Sequence, residues 1–386
     1  MTLTIKNANV YSQGKFIKCN IVVENGVIKS LGNSIEGEIF DAEGKSAVAG
    51  YIDIHTHGGW GKDCMEAEKD AIDVICRYHL YTGTTTFVPT TMTASVEDIN
   101  AAVDNIRKYK SKYAEIAGVH LEGPYLAQKS AGAHPPHLLI SPKTCDSFVW
   151  DNADIVKRVT LAPNLEGATE FCKKATQKGI QTSMGHDDSI DDEIYACIEA
   201  GASSVTHLYN CTSRPSRRIT PKKHLGLTEV GLIEDSVVAE VIADGRHVPD
   251  KLFSMIYRLK GSKGICLVSD SLSVAGMPQG DYYLGSGESK QKIRVDDGVA
   301  ILPDLNTYAG SVTPVGKMVA RLYALGYGLG ECIDMCTKTP AKLLGRDDIG
   351  DIAIGMKADI NILDSKGEVC AIVMDGKTVD REALKI

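Results

Sequence analysis

Between Tyr51 and about Leu344, short apolar segments alternate with segments of helical periodicity, and this alternation restricts the fold more than any other feature. Such alternation is typical of parallel sheets, because each crossover between parallel strands needs a connection the size of a helix. Helical patterns include residues 71–80 and 96–109. We predict eight strands at residues 51–56, 84–89, 116–121, 158–162, 180–184, 203–207, 237–243 and 265–269.

Eight strand–helix units in about 290 residues predict a (β/α)8 TIM barrel. A doubly wound sheet is the alternative, but no Gly-x-Gly-x-x-Gly sequence follows the first strand. The two chain ends differ from this middle part, because they contain alternating strands and turn sequences such as Glu24-Asn25-Gly26. We therefore predict an α/β protein with a barrel at 49–351 and a small β-sandwich domain made of residues 1–48 and 352–386.

Composition and charge disfavour nucleic-acid-binding and membrane-spanning classes of protein. The 386 residues carry a formal net charge of −8 with acids and bases interspersed, which disfavours a nucleic-acid surface. No apolar run approaches the length of a membrane span, and the N-terminus does not resemble a targeting segment. The 11 cysteines are dispersed, as is typical of reduced thiols. We expect a cytoplasmic protein with neither nucleic acid nor membrane as partner.

Histidine and carboxylate residues follow five of the eight predicted strands. The carboxyl ends of barrel strands face one mouth, so these side chains are expected to converge. His55 and His57 are two residues apart on the first strand and therefore point the same way. Imidazole and carboxylate groups together suit zinc, iron or a similar divalent ion. The sequence predicts a metal site formed by His55, His57, Glu122, His186, His207 and Asp270.

Three further histidines receive no role in this site. His79 falls in a helical segment and is expected to be structural. His120 is expected to face the outer helices, and His137 lies in a loop without an assigned role.

Short motifs are distributed along nearly the whole chain. They are 50–58 (Gly-Tyr-Ile-Asp-Ile-His-Thr-His-Gly), 120–125 (His-Leu-Glu-Gly-Pro-Tyr), 132–134 (Gly-Ala-His), 185–186 (Gly-His), 206–210 (Thr-His-Leu-Tyr-Asn), 242–247 (Ile-Ala-Asp-Gly-Arg-His), 267–270 (Leu-Val-Ser-Asp) and 309–311 (Ala-Gly-Ser). Together they resemble the amidohydrolase superfamily and, within it, the N-acetylglucosamine-6-phosphate deacetylase family.

The resemblance implies a metal-dependent deacetylase that converts N-acetylglucosamine 6-phosphate to glucosamine 6-phosphate and acetate. Many members of the superfamily use a carboxylated lysine at the end of strand four, but residues 161–164 (Leu-Ala-Pro-Asn) contain none. Glu122 would then hold the principal ion with His186 and His207, while His55 and His57 offer a second position. One or two divalent ions per subunit are implied, with zinc first and iron, manganese or cobalt as alternatives.

The resemblance also implies roles in catalysis and substrate binding. Asp270 would accept a proton from water and pass it to the leaving amine. His134 would stabilise the carbonyl oxygen as it becomes an oxyanion. Contacts with the sugar and its phosphate are implied for Asn210, Cys211, His247, Ala309 and Gly310. Members of the family are commonly homodimers, which implies a homodimer whose basic loop reaches the neighbouring site.

The segment from Cys211 to Gly226 departs from the family pattern, because the sequence Arg-(Glu/Asp)-Pro-Gly is missing. The segment remains cationic, which favours an anionic substrate, although a solvated basic loop is the alternative. Lys223 is the best match if Leu225-Gly226 aligns with Pro-Gly, whereas Arg217 or Arg218 is better placed by its distance from Asn210.

Other functions remain open at this stage. One is deacetylation of a related amino sugar, either N-acetylgalactosamine 6-phosphate or an unphosphorylated sugar. Another is a different amide hydrolase of the superfamily, which the missing lysine and the His-Leu-Glu-Gly-Pro motif disfavour. A non-catalytic scaffold is expected to have lost metal ligands or Asp270, and this chain retains them.

Overall fold

The chain begins with a small sheet. A computed structural model describes residues 1–214, 221–285, 291–303 and 307–386. The first strands are β1 (Thr2–Ser12), β2 (Lys15–Glu24), β3 (Val27–Gly32), β4 (Glu38–Asp41) and β5 (Ser46–Ala49). β1 pairs with β2 in antiparallel and with β4 and β5 in parallel orientation. Ile5, Val10 and Ile21 are fully buried in an apolar cluster that belongs to this sheet.

A closed barrel of parallel strands follows. Its elements and the short strands between them are β6 (Tyr51–Thr56), β7 (Gly58–Gly59), β8 (Lys62–Asp63), β9 (Thr84–Thr91), β10 (Glu115–Ile116), β11 (Val119–Glu122), β12 (Val156–Leu161), β13 (Gln181–Met184), β14 (Ser204–Val205), β15 (Val238–Val241) and β16 (Ile265–Leu267). β6, β9 and β11 to β16 pair side by side in that order. A bridge between Thr56 and Ser271 closes the ring, supported by a hydrogen bond from Asp270 N to the His55 carbonyl oxygen at 2.9 Å.

Helices cover the outside of the barrel and follow the chain in the order α1 (Lys69–Tyr81), α2 (Val96–Lys108), α3 (Ser147–Asp151), α4 (Ala168–Gln177), α5 (Asp191–Glu199), α6 (Leu227–Ile233), α7 (Asp250–Lys260), α8 (Val315–Ala324), α9 (Leu329–Asp334) and α10 (Lys338–Leu343). α2 illustrates why they form: Ser95 caps its N-terminus by accepting a hydrogen bond from Asp98 N. Ile99, Val103 and Ile106 of α2 then share one buried face. None of the described helices has the length and apolar character needed to cross a membrane.

An antiparallel sheet that the sequence analysis did not anticipate lies between the eighth barrel strand and α8. Its strands are β17 (Gly280–Leu284), β18 (Gln291–Asp296), β19 (Val299–Leu302) and β20 (Thr307–Ser311). Leu284 and Ile293 of this sheet pack in one apolar cluster with Ala133 and Leu272. The sheet therefore lies at the mouth of the barrel, next to the strand ends.

The last strands return to the first sheet and are β21 (Ile360–Leu363), β22 (Val369–Met374) and β23 (Lys377–Thr378). β21 pairs antiparallel with β5, so both chain ends contribute to one eight-stranded sheet. The predicted fold class, a (β/α)8 barrel with a small β domain from both chain ends, is confirmed. The domain boundaries at 48/49 and 351/352 stay a prediction.

The eight predicted barrel strands are all present, most of them with ends shifted by one or two residues, and two of them differ more in form. The strand predicted at 116–121 is split into β10 and β11, because Gly118 between them has φ +141° and a Cβ there would lie 2.2 Å from Lys157 Cγ. β14 is only two residues long, and the backbone leaves the strand before His207.

Candidate metal centre and active site

Several of the predicted ligands lie where the strand backbone changes direction. His186, His207 and Asp270 follow β13, β14 and β16 and have φ angles of +48°, +28° and +46°. The left-handed region is unfavourable for residues other than glycine, and such residues cluster at functional sites. The turn brings these three side chains to the same barrel mouth as Glu122, which ends β11.

One group of ligand atoms surrounds the first carboxylate oxygen of Glu122. Glu122 Oε1 lies 3.2 Å from His186 Nε2 and 3.0 Å from His207 Nε2. The two Nε2 atoms are themselves 3.0 Å apart. The family resemblance implies that this trio holds the principal ion, and the structure brings the three residues together.

A second group surrounds the other oxygen of the same carboxylate. Glu122 Oε2 lies 3.3 Å from His55 Nε2 and 3.1 Å from His57 Nε2. Asp270 Oδ1 lies 3.5 and 3.3 Å from the same two nitrogens. All six predicted ligands are therefore in one cluster, in which Glu122 belongs to both groups through different oxygens.

The donor atoms fit a divalent cation. His186 Nδ1 lies 2.7 Å from the Ser130 carbonyl oxygen, and His57 Nδ1 lies 3.2 Å from that of Thr90. A carbonyl oxygen only accepts hydrogen bonds, so each Nδ1 carries a proton and each Nε2 faces the cluster, where a bound cation would take the place of the second ring proton. Lone pairs and a buried carboxylate at these distances repel one another unless a cation lies between them.

The charges of the two carboxylates agree with this interpretation. Burial alone would raise the pKa of Glu122, but the charge of His55 and hydrogen bonds from three further histidines outweigh burial and hold the pKa well below its ordinary value. Burial opposes ionisation of Asp270 as well, and His55 and His57 again outweigh it, so the pKa of Asp270 is lowered. Both side chains are ionised at neutral pH, which is the form that binds cations.

His134, the predicted oxyanion residue, is directed into the same cluster. The backbone N–H of Thr93 donates to His134 Nδ1 at 3.2 Å, so the proton of the neutral ring is on Nε2. His134 Nε2 lies 3.4 Å from Glu122 Oε2. Burial lowers the pKa of His134 to about 4, against the opposing effect of Glu122. His134 is therefore a neutral N–H donor at neutral pH, as an oxyanion site requires.

A cavity of about 220 Å³, which we call the catalytic cavity, opens next to these residues. The residues predicted to contact the sugar and its phosphate line this cavity together with metal ligands; they are Asn210, Cys211, His247, Ala309 and Gly310. His247 is oriented by Asp244, whose Oδ2 lies 2.7 Å from His247 Nδ1. Gly310 has φ +151° and a Cβ there would lie 2.9 Å from Leu272 Cδ2, so a larger residue would not fit.

The cations predicted to bind the phosphate are placed differently. Arg217 and Arg218 lie outside the described residues. Lys223 is exposed and does not line the catalytic cavity, and Arg214 is also exposed. The structure of one chain therefore brings none of the described loop cations into the cavity.

Hydrogen bonds anchor the basic loop on both sides of residues 215–220. Ser213 N and Oγ both donate to the buried Asp187 at 2.7 Å. On the far side, His224 Nδ1 lies 2.8 Å from Asp191 Oδ1, at the N-terminus of α5. The two anchors hold the ends of the loop against the barrel.

The expectation for His120 was wrong. His120 is two residues before Glu122 on the same strand, so both side chains face the barrel interior. Its Nε2 lies 2.8 Å from Thr160 Oγ1 and its Nδ1 3.2 Å from Thr90 Oγ1, and the ring contacts His55 edge to face. Strand periodicity could have predicted this placement. By contrast, His79 is buried and contacts Thr56, as a structural residue would.

Four residues that line the catalytic cavity were not predicted from the sequence, namely Met92, Leu272, Thr307 and Tyr308. Met92 and Leu272 form an apolar corner, and Tyr308 contacts the ring of His247 at 4.8 Å between centroids. Neither a charge nor a metal-binding pattern marks these residues. Tyr308 directly precedes Ala309 and Gly310, and this proximity is the one signal that pointed to it.

Comparison with known proteins agrees with this geometry. The model of the amidohydrolase family matches residues 46–379. The chain is 30% identical over 374 residues to N-acetylglucosamine-6-phosphate deacetylase of Lysinibacillus sphaericus, with 94% of each chain covered. It is also 30% identical over 387 residues to N-acetylgalactosamine-6-phosphate deacetylase of Shewanella sp. strain ANA-3, with 97% of this chain and 95% of the relative covered.

A solved structure gives the same result. The crystal structure of N-acetylglucosamine-6-phosphate deacetylase from Pasteurella multocida superimposes with a TM-score of 0.89 at 26% identity, covering 98% of this chain and 100% of that one. The match extends over the barrel and the small sheet alike. The chain therefore belongs to the amidohydrolase family and, within it, to the N-acetylglucosamine-6-phosphate deacetylase family.

Proposed function

We propose that this protein hydrolyses the N-acetyl group of N-acetylglucosamine 6-phosphate, giving glucosamine 6-phosphate and acetate. The observation that carries the proposal is the convergence of Asp270 and His134 on the two ligand groups that share Glu122. The relatives that bear this activity in their names support the choice of substrate.

Glu122, His186 and His207 would hold the principal cation, and His55, His57 and Asp270 surround a second position. A bound divalent cation supplies Lewis-acid charge, which polarises the amide carbonyl and lowers the pKa of water. The mixture of imidazole and carboxylate donors favours zinc, with iron, manganese and cobalt as alternatives. One or two ions per subunit fit this arrangement.

The protein's own groups would move the protons. Asp270 accepts a proton from the attacking water and delivers it to the nitrogen of the leaving amine, since it is ionised and 13% exposed toward the cavity. His134 donates its Nε2 proton in a hydrogen bond to the carbonyl oxygen, which gains negative charge as water adds.

The residues of the catalytic cavity that are not metal ligands would hold the sugar. Asn210, His247 and the backbone around Cys211 supply polar contacts, and Ala309 with Gly310 packs on the ring. The phosphate would meet Arg217, Arg218 or Lys223. Since Lys223 is exposed within one chain, a homodimer in which this loop reaches the partner's cavity would explain the placement. We also propose a cytoplasmic location and no nucleic-acid or membrane partner, in agreement with the net charge of −8.

A second candidate substrate is N-acetylgalactosamine 6-phosphate. The relative from Shewanella with that name is as similar to this chain as the glucosamine enzymes are, at 30% identity. The loop that departs from the family pattern carries the cations proposed to bind the substrate, whereas the metal ligands do not depart from that pattern. The alternative therefore concerns the sugar and leaves the deacetylation unchanged.

Initial rates of acetate release test these assignments. The panel contains N-acetylglucosamine 6-phosphate, N-acetylgalactosamine 6-phosphate and the two unphosphorylated sugars, each with and without a chelator. We expect the glucosamine phosphate to be fastest and the chelator to abolish release. A preference for an unphosphorylated sugar would exclude the phosphate assignment, and activity that survives complete metal removal would exclude metal dependence.

A further inference from the structure

A second and larger cavity adjoins the catalytic cavity. This space, which we call the acyl-side cavity, has a volume of about 780 Å³ and lies between α2, the 133–138 loop and the β17–β18 sheet. Among the described residues, Met92 and Ala133 line both cavities. Ala133 contributes only a methyl group to this partition, so the flexible thioether chain of Met92 is its movable part.

The partition stands at the apolar end of the catalytic cavity. Met92 packs against the apolar cluster that contains Ala133 and Leu272, whereas Asn210 and His247 are polar residues of the same lining. An N-acylated amino sugar has the same polarity, with hydrocarbon on one side of the amide and hydroxyls on the other. With its carbonyl oxygen at His134, its acyl chain therefore points toward Met92.

Met92 also lies directly before the residue that orients the oxyanion histidine. Thr93, which lines the acyl-side cavity, donates its backbone N–H to His134 Nδ1 at 3.2 Å. The start of the acyl chain is consequently held within reach of the partition, because it and the carbonyl oxygen are bonded to the same carbon.

The negative charge of the acyl-side cavity makes it unsuitable for the phosphate end of the substrate. Its lining includes four carboxylates, Asp63, Glu66, Glu68 and Asp98. Lys62 forms ion pairs with Glu66 at 3.0 Å and Glu68 at 3.2 Å, which leaves a net negative rim. A phosphate is repelled from such a rim, and so is an acyl chain that ends in a carboxylate. A neutral alkyl chain carries no such penalty.

We propose that the acyl-side cavity is a subsite for N-acyl chains longer than acetyl, and that Met92 controls entry to it. The proposal rests on the proposed deacetylase function. The reaction is the same hydrolysis: the oxygen of water bonds to the acyl carbon, the carbon–nitrogen bond breaks, and the amine keeps the transferred proton. The product is a longer carboxylate, such as butyrate, in place of acetate.

Specificity constants for a series of substrates test the proposal with the metal-loaded enzyme. The series is the N-acetyl, N-propionyl, N-butyryl and N-hexanoyl derivatives of glucosamine 6-phosphate, with N-succinyl as an anionic match to butyryl in chain length. We expect the unaltered enzyme to turn over butyryl with a kcat/KM within about tenfold of acetyl and to reject succinyl. Met92→Ala is expected to raise the butyryl-to-acetyl ratio about tenfold.

Two further variants separate the subsite from general effects on folding. Ala94 lines the acyl-side cavity but not the catalytic cavity. Ala94→Phe therefore fills the acyl-side cavity alone, and it is expected to lower hexanoyl turnover while acetyl turnover is unchanged. Met65→Ala is the matched control, since Met65 lines the larger cavity without forming the partition, and it should leave the butyryl-to-acetyl ratio unchanged.

Each outcome decides between the alternatives. If the enzyme and Met92→Ala both cleave acetyl but reject butyryl more than a hundredfold, the subsite does not exist. If Met92→Ala is inactive, the ratio of hexanoyl to acetyl turnover in Ala94→Phe decides, and an unchanged ratio overturns the proposal. Absence of turnover with every N-acetylated sugar would instead contradict the proposed function, and the acyl series would then be measured on the N-acetyl amine that the enzyme does cleave.

Discussion

The catalytic cavity adjoins two sets of residues, the metal ligands, which we call the metal wall, and the residues expected to contact the substrate, which we call the substrate wall. The two sets are constructed differently. On the metal wall, the ligands project from strand ends, and His55, Glu122 and His207 are at most 3% exposed. On the substrate wall, Asn210, His247 and Ala309 lie on or beside loops outside the barrel, and hydrogen bonds at Ser213 and His224 hold the described ends of the cationic loop.

This difference separates chemistry from recognition. Barrel strands hold the donor atoms in place by backbone pairing, so a change of one residue there alters the reaction. Loops tolerate substitution, so the substrate wall can change without affecting the metal wall. The comparison therefore predicts large losses of turnover on one wall and moderate losses of affinity on the other.

The largest expected effect is at Asp270. Asp270→Asn removes the group that accepts the water proton, so kcat should fall by about 10²- to 10⁴-fold while the metal content stays the same. The measurements are steady-state kinetics and metal analysis of the purified variant. Asp281→Asn, at an exposed ion pair with Lys292, is the matched control and should be unchanged. Full activity of Asp270→Asn would contradict the role of Asp270 as the group that accepts the water proton.

A somewhat smaller effect is expected at His134. His134→Phe removes one donor to the developing oxyanion, which should lower kcat by about 10²- to 10³-fold with little change in KM. His134→Gln retains an N–H donor and should recover part of the loss. His137→Phe, at an exposed histidine in the same loop, is the control for acetyl turnover. Equal losses in Phe and Gln variants would assign His134 a purely structural role.

On the substrate wall, the anchor between His224 and Asp191 sharpens the comparison. Asp191→Asn weakens that contact and frees the end of the cationic loop, at a cost of roughly 1 kcal/mol, or about fivefold in KM. The kcat should stay within about twofold, because the metal ligands are untouched. Glu199→Gln, exposed at the other end of the same helix α5, is the control. A fall in kcat without a change in KM would show that the two walls are not separable.

The remaining prediction concerns stability and a residue that does not line the catalytic cavity. Burial lowers the pKa of His79 to about 3, so the folded protein holds it neutral. Its contribution to stability is complete above the unfolded pKa near 6.5 and is lost as pH falls toward 3. At pH 5 the loss is about 2 kcal/mol. Urea unfolding of the native chain and His79→Gln at pH 7 and pH 5 measures it, and an equal pH dependence of both would contradict the interpretation.

The barrel and its metal ligands could be predicted from the sequence because both depend on local patterns. Strand and helix periodicities repeat along the chain, and the barrel rule brings strand ends together wherever they are in sequence. His55, Glu122 and His207 could therefore be grouped without coordinates. His120 was misplaced only because its spacing of two from Glu122 was not used.

The remaining features depend on contacts between distant segments. The described residues between the strands of the β17–β20 sheet form no helix, so the sheet lies outside the repeating pattern. Its packing against Leu272 and Ala133 contributes to the shape of the cavity. Met92 is an ordinary apolar residue in the sequence, and only its position between two cavities gives it significance. The identity of the cation that binds the phosphate depends on the orientation of the loop from Cys211 to Gly226, and local sequence patterns do not predict that orientation.

The shared carboxylate of Glu122 has a consequence for metal loading. Its Oε1 faces one pair of histidines and its Oε2 the other, so a cation at either position takes electron density from the same group and repels a second cation nearby. By linkage, filling one position then weakens the other by the same free energy. Titration with metal should therefore show two unequal steps, with the weaker ion removed first by a chelator.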